Sequence, residues 1–243
     1  MARLIENIEP RFFRSCLVQG KWDESLRVLR KFGYPSPTTV RDLFYARTQI
    51  GDRTDILNIY GGHTNAFVVY PNGKDANKFF LIVNGKSNPL LRNPVNASDK
   101  ENNGMAPISQ RSLQYFLEKA RDDSDKAAKT GTLFVRRDKL VSHISTRKFD
   151  NYLISEFLSQ DQARPYTLYL KRNNIQEVPL KFIDAEYVQE QPKSFVCPLW
   201  IRGLQGDSGI DGIDRDLSDI DNLVLGVQFL NTKQSIKSLD YRI

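Results

Sequence analysis

Phe79-Phe80-Leu81-Ile82-Val83-Asn84-Gly85-Lys86 is the stretch on which the fold turns. Its five consecutive apolar residues make a short run that reads as a strand. Asn84-Gly85 then supplies turn chemistry. Two similar runs precede it, Ile56-Leu57-Asn58-Ile59-Tyr60 and Ala66-Phe67-Val68-Val69-Tyr70. Gly61-Gly62 and Pro71-Asn72-Gly73 separate the three, which predicts consecutive strands in a meander.

Toward the N-terminus, residues 3–32 read as helical. Leu4, Ile5 and Ile8, then Phe12, Phe13, Cys16 and Leu17, recur at three-to-four spacing. Gly20 interrupts that pattern, and Trp22, Leu26, Leu29 and Phe32 resume it as far as Gly33. Thr38 or Thr39 can cap a further helix through Val40, Leu43, Phe44 and Ala46. Beyond Lys86 the polar 84–107 segment, with three prolines and six asparagines, is too long for an ordinary connector. A helix over 108–121, a strand at Thr132–Val135 and a helix from Phe149 to Leu158 follow. Strands are predicted at Tyr166–Leu170, Val178–Ile183, Ser194–Ile201 and Leu223–Leu230. The fold class is therefore α/β, a mixed central β-sheet flanked by helices. It forms a single domain over 1–243, with a helical part at 1–50, a core at 51–150 and a β-rich part at 151–243.

The chain has 243 residues, 40% apolar and 26% charged, the balance of an ordinary globular protein. No apolar run approaches the ~18 residues of a membrane span. The opening Met-Ala-Arg-Leu-Ile-Glu-Asn has no apolar signal region, so a cytoplasmic protein is expected. Cys16 and Cys197 form no CxxC pair, and with His63 and His143 the only histidines a zinc site is hard to build. Both cysteines read as small buried hydrophobes. Residues 1–150 hold 25 Lys and Arg against 16 acids, whereas 206–243 hold four against seven. That asymmetry suits a front part facing phosphate, or simply a solvated surface.

Asn84 and Lys86 lie two apart, so an extended chain presents both on one face. A hairpin could bring Asp55 beside them. Oxygen ligands for Mg²⁺ next to a lysine are what phosphodiester hydrolysis needs; a plain hairpin with a solvent-facing Asp and Lys is the alternative. The order Thr54-Asp55, hairpin, apolar strand, Asn84-Gly85-Lys86, then helix and strand, resembles the PD-(D/E)XK nuclease core of type II restriction endonucleases, over roughly residues 40–140. The resemblance implies a restriction-endonuclease-like core, Asp55 as metal ligand, Lys86 as catalytic lysine and Mg²⁺ as cofactor. Thr54 stands where proline is usual. Asn84, where a second acid is usual, would be a weak metal ligand in the catalytic group, with Glu101 or Glu118 as possible sources of the missing carboxylate.

Asp184 and Glu186 would share a strand face, as paired carboxylates or a solvated edge. Asp207, Asp211, Asp214, Asp216, Asp219 and Asp221 suggest an exposed acidic loop, because an EF-hand glycine and final acid are missing. His63, exposed by its glycines, could serve as a base. No dinucleotide or P-loop fingerprint occurs, so no nucleotide cofactor is expected. Arg92, Arg136, Arg137, Lys139, His143, Arg147 and Lys148 are candidate nucleic-acid contacts. The expectation is a dimeric, sequence-specific, metal-dependent deoxyribonuclease acting on double-stranded DNA in a restriction system. A non-catalytic DNA- or RNA-binding protein using the same basic surface is the alternative.

Overall fold

A computed structural model describes residues 2–8, 13–50, 55–84, 88–92, 94, 105–204, 208–213, 217, 219 and 221–229. The strands are β1 (Arg3–Ile8), β2 (Phe13–Gln19), β3 (Gly62–Tyr70), β4 (Phe79–Val83), β5 (Ala106–Pro107) and β6 (Thr132–Arg136). They continue as β7 (His143–Ser145), β8 (Glu177–Phe182), β9 (Phe195–Ile201), β10 (Ile210–Gly212) and β11 (Leu223–Phe229). The helices are α1 (Trp22–Lys31), α2 (Val40–Gln49), the single turns α3 (Ile56–Ile59) and α4 (Pro89–Arg92), and α5 (Gln110–Lys119). After them come α6 (Ser124–Thr130), α7 (Leu153–Ser159), α8 (Ala163–Arg172) and α9 (Ala185–Glu190).

Period-two alternation builds the centre. In β3, Ala66, Val68 and Tyr70 enter one apolar cluster while Phe67 and Val69 enter the other. Phe80 and Ile82 of β4, and Cys197, Leu199 and Ile201 of β9, join the first cluster. Phe79, Leu81 and Val196 join the second. The sheet therefore lies between two layers. Leu43 and Phe44 of α2, Phe157 of α7 and Tyr166 of α8 cover one face, and Leu26 of α1 and Phe116 of α5 cover the other.

The main strand order is β1-β2-β11-β3-β9-β10-β8-β7. The sheet branches at β3, which pairs antiparallel with β9 along one edge. Its other edge is divided: β11 runs parallel beside His63, and β4 runs antiparallel from Phe67 to Val69. β6 extends that branch from β4.

The strands expected near 66–70, 79–83, 132–135, 178–183, 194–201 and 223–230 are present, and Thr39 caps α2 by accepting from Asp42 N at 2.9 Å. Four elements differ from expectation. Residues 3–8 and 13–19 pair as the antiparallel strands β1 and β2 rather than forming a helix. Phe13 and Leu17 face one cluster and Cys16 and Val18 the other, so two buried faces imitate a helical stripe. Residues 56–59 form a helical turn rather than a strand. Asp55 is thus not at a strand head: its carboxylate accepts from Leu57 N at 2.9 Å and caps α3. Residues 163–172 form α8, because Tyr166, Tyr169 and Leu170 follow helical spacing. Asp184 precedes α9 and Glu186 lies in its first turn, so the two share no strand face.

Gly226 of β11 lies against Cys16 and α1: an added Cβ would meet Cys16 Sγ at 2.8 Å and Leu29 Cδ2 at 2.9 Å. Gly226→Ala should therefore cost about 1–3 kcal/mol by overpacking, read as a lower urea midpoint with unchanged slope. Burial also pushes the Cys16 thiol up from its ordinary 9.0 to about 12. A group whose folded value is raised stabilises the fold below its unfolded value, and that contribution fades as pH climbs from 9.0 toward about 12. Native protein at pH 8 should leave both cysteines unreacted with Ellman's reagent, and guanidinium should release both; a fast-reacting thiol before unfolding would contradict this burial.

Candidate functional site

The polar chemistry of the interior gathers at one end of the sheet, where β3 starts and β9 ends. It begins with Arg47. Val40, Leu43, Phe44 and Arg47 share one stripe of α2, which carries the guanidinium into the core at 0% exposure. Its Nε donates to Leu57 O at 2.9 Å and Nη2 to Tyr60 O at 3.1 Å. Nη1 donates to Arg202 O at 2.9 Å and Tyr166 Oη at 3.0 Å. One side chain thereby ties α2, α3, α8 and the segment after β9. The phenol it grips is fixed in turn, because the Phe44 and Tyr166 rings stack at 3.7 Å.

The segments it joins touch backbone to backbone. A Cβ on Gly203 would lie 2.5 Å from Tyr60 O, and one on Gly61 would lie 2.6 Å from Trp200 Nε1. Next to this seam, Arg202 forms a two-pronged ion pair with Asp211 of β10, at 2.8 and 2.9 Å. Asp211 has no exposed surface. His63 is buried between the edges of Trp22 and Trp200, and its Nε2 lies 3.2 Å from Asn222 Oδ1. Asn222 Nδ2 donates to Asp219 O, Asn222 O accepts from Gly20 N, and Leu217 O accepts from Trp22 N.

These locks hold 57–61, 200–204, 208–211, 217, 219, 221 and 222 from beneath. Above them the side chains point outward. Tyr60 is 42% exposed, Trp200 is half-buried beside it, and Asp219 and Asp221 are exposed. Asp219 Oδ1 accepts from Asp221 N, and Asp221 Oδ1 from Gln19 Nε2. Exposed aromatic and acidic side chains thus stand on a firm backbone.

The expected site residues are distributed otherwise. Asp55 caps α3, Asn84 donates its backbone N–H to Gly131 O at the end of α6, and Lys86 lies outside the described residues, as does Glu101. Glu118 lies exposed on α5. The basic segment splits. Arg136 is paired with Asp138 at 2.6 Å, a contact that raises the guanidinium and lowers the carboxyl. Arg137 turns inward over the Phe80 and Tyr70 rings, 5.4 and 5.8 Å from their centroids, and burial draws its guanidinium down. Arg92, Lys139, His143, Arg147 and Lys148 are exposed. His63 is no exposed base, because Trp22 and Trp200 close over it. Asp211 is no loop acid, because it is the buried partner of Arg202. Asp207, Asp214 and Asp216 lie outside the described residues.

Sequence reasoning missed Arg47 and Arg202, and it placed Asp211 in an exposed acidic loop. The signal for Arg47 was present: an arginine three residues after Phe44, on the apolar stripe of a capped helix.

No family model matches the sequence, and no curated protein matches it. Among solved structures the fold is similar to one reported as the accommodation of massive sequence variation in Nanoarchaeota by the C-type lectin fold. The TM-score is 0.60 at 13% identity, over 94% of this chain and 100% of that one. The likeness assigns a C-type lectin fold and overturns the PD-(D/E)XK resemblance, together with its restriction-endonuclease-like core and its nuclease, DNA-binding and restriction associations. The short Asp55, Asn84, Lys86 spacing was the support for that resemblance, and the first of these residues sits on a helical turn. Among the described residues no helix is long and apolar enough to cross a membrane.

Arg47→Met leaves buried carbonyls at Leu57, Tyr60 and Arg202 without their donor. The expected loss is about 3–5 kcal/mol in urea unfolding, whereas Arg147→Met, on the surface, should stay within about 0.5 kcal/mol.

Proposed function

We propose that this chain is a non-catalytic recognition protein whose ligand meets the loop end formed by 57–61, 200–204, 208–211, 217, 219, 221 and 222. One observation carries the reading. Arg47, the Arg202–Asp211 pair and His63–Asn222 fix the backbone of these segments from within the core, while the side chains of Tyr60, Asp219 and Asp221 lie at the surface, the two carboxylates bonding locally to Asp221 N and Gln19. Buried support and exposed contact are thus carried by different side chains. A backbone fixed in this way loses little conformational freedom on binding, which favours affinity. Outward positions can also change without harm to the scaffold. That agrees with a neighbour in which the C-type lectin fold accommodates massive sequence variation.

Two measurements test it. A phage-displayed library randomised at Tyr60, Asp219 and Asp221 should fold cooperatively in most members and yield binders to an immobilised protein such as lysozyme. The same randomisation at Arg47, Gly203 and Asp211 should abolish folding. On arrays of glycans, peptides and nucleic acids, binding by the wild type should be lost in Tyr60→Ala/Asp221→Ala at unchanged melting temperature. Salt-sensitive binding that survives that double variant but disappears in Arg147→Ala/Lys148→Ala would overturn the reading and put the contact surface elsewhere.

A further inference from the structure

The strand β6 pairs with β4 along one edge, and its other edge is only half used. Arg121 forms a parallel bridge there: its N–H donates to Thr132 O at 3.1 Å, and its carbonyl accepts from Phe134 N at 2.7 Å. The chain then leaves the edge at Asp122 for α6. Alternation fixes what lies beyond. Because Phe134 N points away from β4, Phe134 O and Arg136 N–H point the same way, whereas Arg137 N turns back to Lys78 O at 3.0 Å. Among the described residues no backbone group meets Phe134 O or Arg136 N along this edge. One acceptor and one donor, two residues apart, are what a single residue of a parallel strand bridges. Arg121 already uses the same spacing one step earlier.

Beside this open stretch lies a hollow of about 640 Å³, lined from 75–79 and 134–138, both stretches described throughout. Its floor is the Phe79 and Phe134 rings, stacked at 4.6 Å on the sheet face that α1 and α5 cover further along. Its rim holds two ion pairs, Lys78 with Asp75 at 3.0 Å and Arg136 with Asp138 at 2.6 Å, so the four charges cancel. Where Arg121 leaves the edge, Asp122, Asp123 and Asp125 are exposed. Arg121 turns back from them, its Nη1 donating to Glu118 O and Ala120 O. We infer that the open half of β6 is a strand-addition site for an extended peptide of another protein, running parallel to β6, with an apolar side chain in the Phe79–Phe134 hollow and basic residues ahead of it facing Asp122 and Asp125. The unclaimed backbone pair calls for a strand. The ring floor and neutral rim call for an uncharged anchor, and the acids for a positive leading end. The residue bridging Val135 takes Phe134 O and Arg136 N–H, so the residue before it lies beside Phe134 and points into the hollow. This edge is at the opposite end of β3 from His63, and the inference does not rest on the loop end.

The backbone of Arg136 permits a clean test. Its φ of −77° lies close to the roughly −65° that proline imposes, and a proline whose missing N–H faces outward costs an edge strand no ladder bond. Arg136→Pro therefore removes the outward donor, and Arg136→Ala is its control, losing the side chain but keeping the N–H. A phage-displayed library of random heptapeptides is panned on the full chain, with Arg136→Pro as the counter-selecting bait. Enriched peptides should carry Lys or Arg ahead of an aromatic or branched apolar residue. In fluorescence anisotropy, a synthetic peptide of that kind should bind Arg136→Pro at least about tenfold more weakly than wild type, and Arg136→Ala within about twofold. N-methylation of the residue after the apolar anchor should also weaken binding about tenfold, which probes the bond to Phe134 O with the protein untouched. No peptide enriched on wild type over Arg136→Pro overturns the site, as does an N-methyl peptide that binds equally well. Equal loss in Arg136→Ala overturns strand addition, and acidic leading residues overturn the charge assignment. Loss in Tyr60→Ala/Asp221→Ala puts the peptide at the loop end and overturns this edge. A wild type that sediments as a dimer beside a monomeric Arg136→Pro makes the occupant a second copy and overturns the peptide partner.

Discussion

A guanidinium with no exposed surface and, among the described residues, no carboxylate partner governs this structure. Arg47 meets three backbone carbonyls and a phenol, drawn from three segments: α3 with the residue after it, α8 and the chain after β9. A charge in that position is tolerable only while every acceptor stays in place. The cost of displacing any one of them therefore falls on all of them together. That is why α2, α3, α8 and the chain after β9 behave as one body, although 155 residues separate Arg47 from Arg202. The Arg202–Asp211 pair extends the same logic to β10, and His63 with Asn222 extends it to the start of β11. Buried charge here fixes a geometry that apolar packing alone would leave free to slide.

Much of the sheet was legible in the sequence, because a strand covered on both faces gives a short, dense apolar run between turn residues. Phe79–Val83 and Phe195–Ile201 are of that kind. The same density misled at Phe13–Gln19, where residues facing opposite layers also satisfied helical spacing. At Tyr166–Leu170 the error ran the other way, since aromatic and β-branched residues suggest a strand while the two tyrosines lie one helical turn apart and stack at 5.0 Å. The helix α6 carried visible signals at both ends: Asp123 accepts from Lys126 N, and Gly131 adopts φ 76°. The candidate site was less legible. Asp211 looks in sequence like its acidic neighbours, and only the strand pairing that brings it to Arg202 distinguishes it. Lys86 and Asp55 looked purposeful because two-residue spacing and a nearby hairpin are common geometry, and such a short pattern carries little information.

The charges divide between surfaces. The exposed cations of the 146–151 turn and α8 lie on the helical layer, and the exposed acids Asp219 and Asp221 lie at the loop end. The excess of positive charge in the first 150 residues is thus partly consumed internally, by Arg47 and Arg137 in the core and by Arg136 against Asp138. Net charge by segment overstated what remains for a partner.

The divided edge of β3 has a consequence for how the chain reaches this shape during synthesis. Its near half waits for β11, near the last described residues, while its far half is completed by β4 only a few residues downstream. The β4 branch can assemble while the ribosome is still translating. The β1/β2 hairpin cannot join the central strand until residue 229 has emerged, because β11 is the bridge between them. Nascent chains stalled short of that point would carry an N-terminal ribbon whose edge on β2 awaits β11, the late strand that joins it to the rest of the sheet.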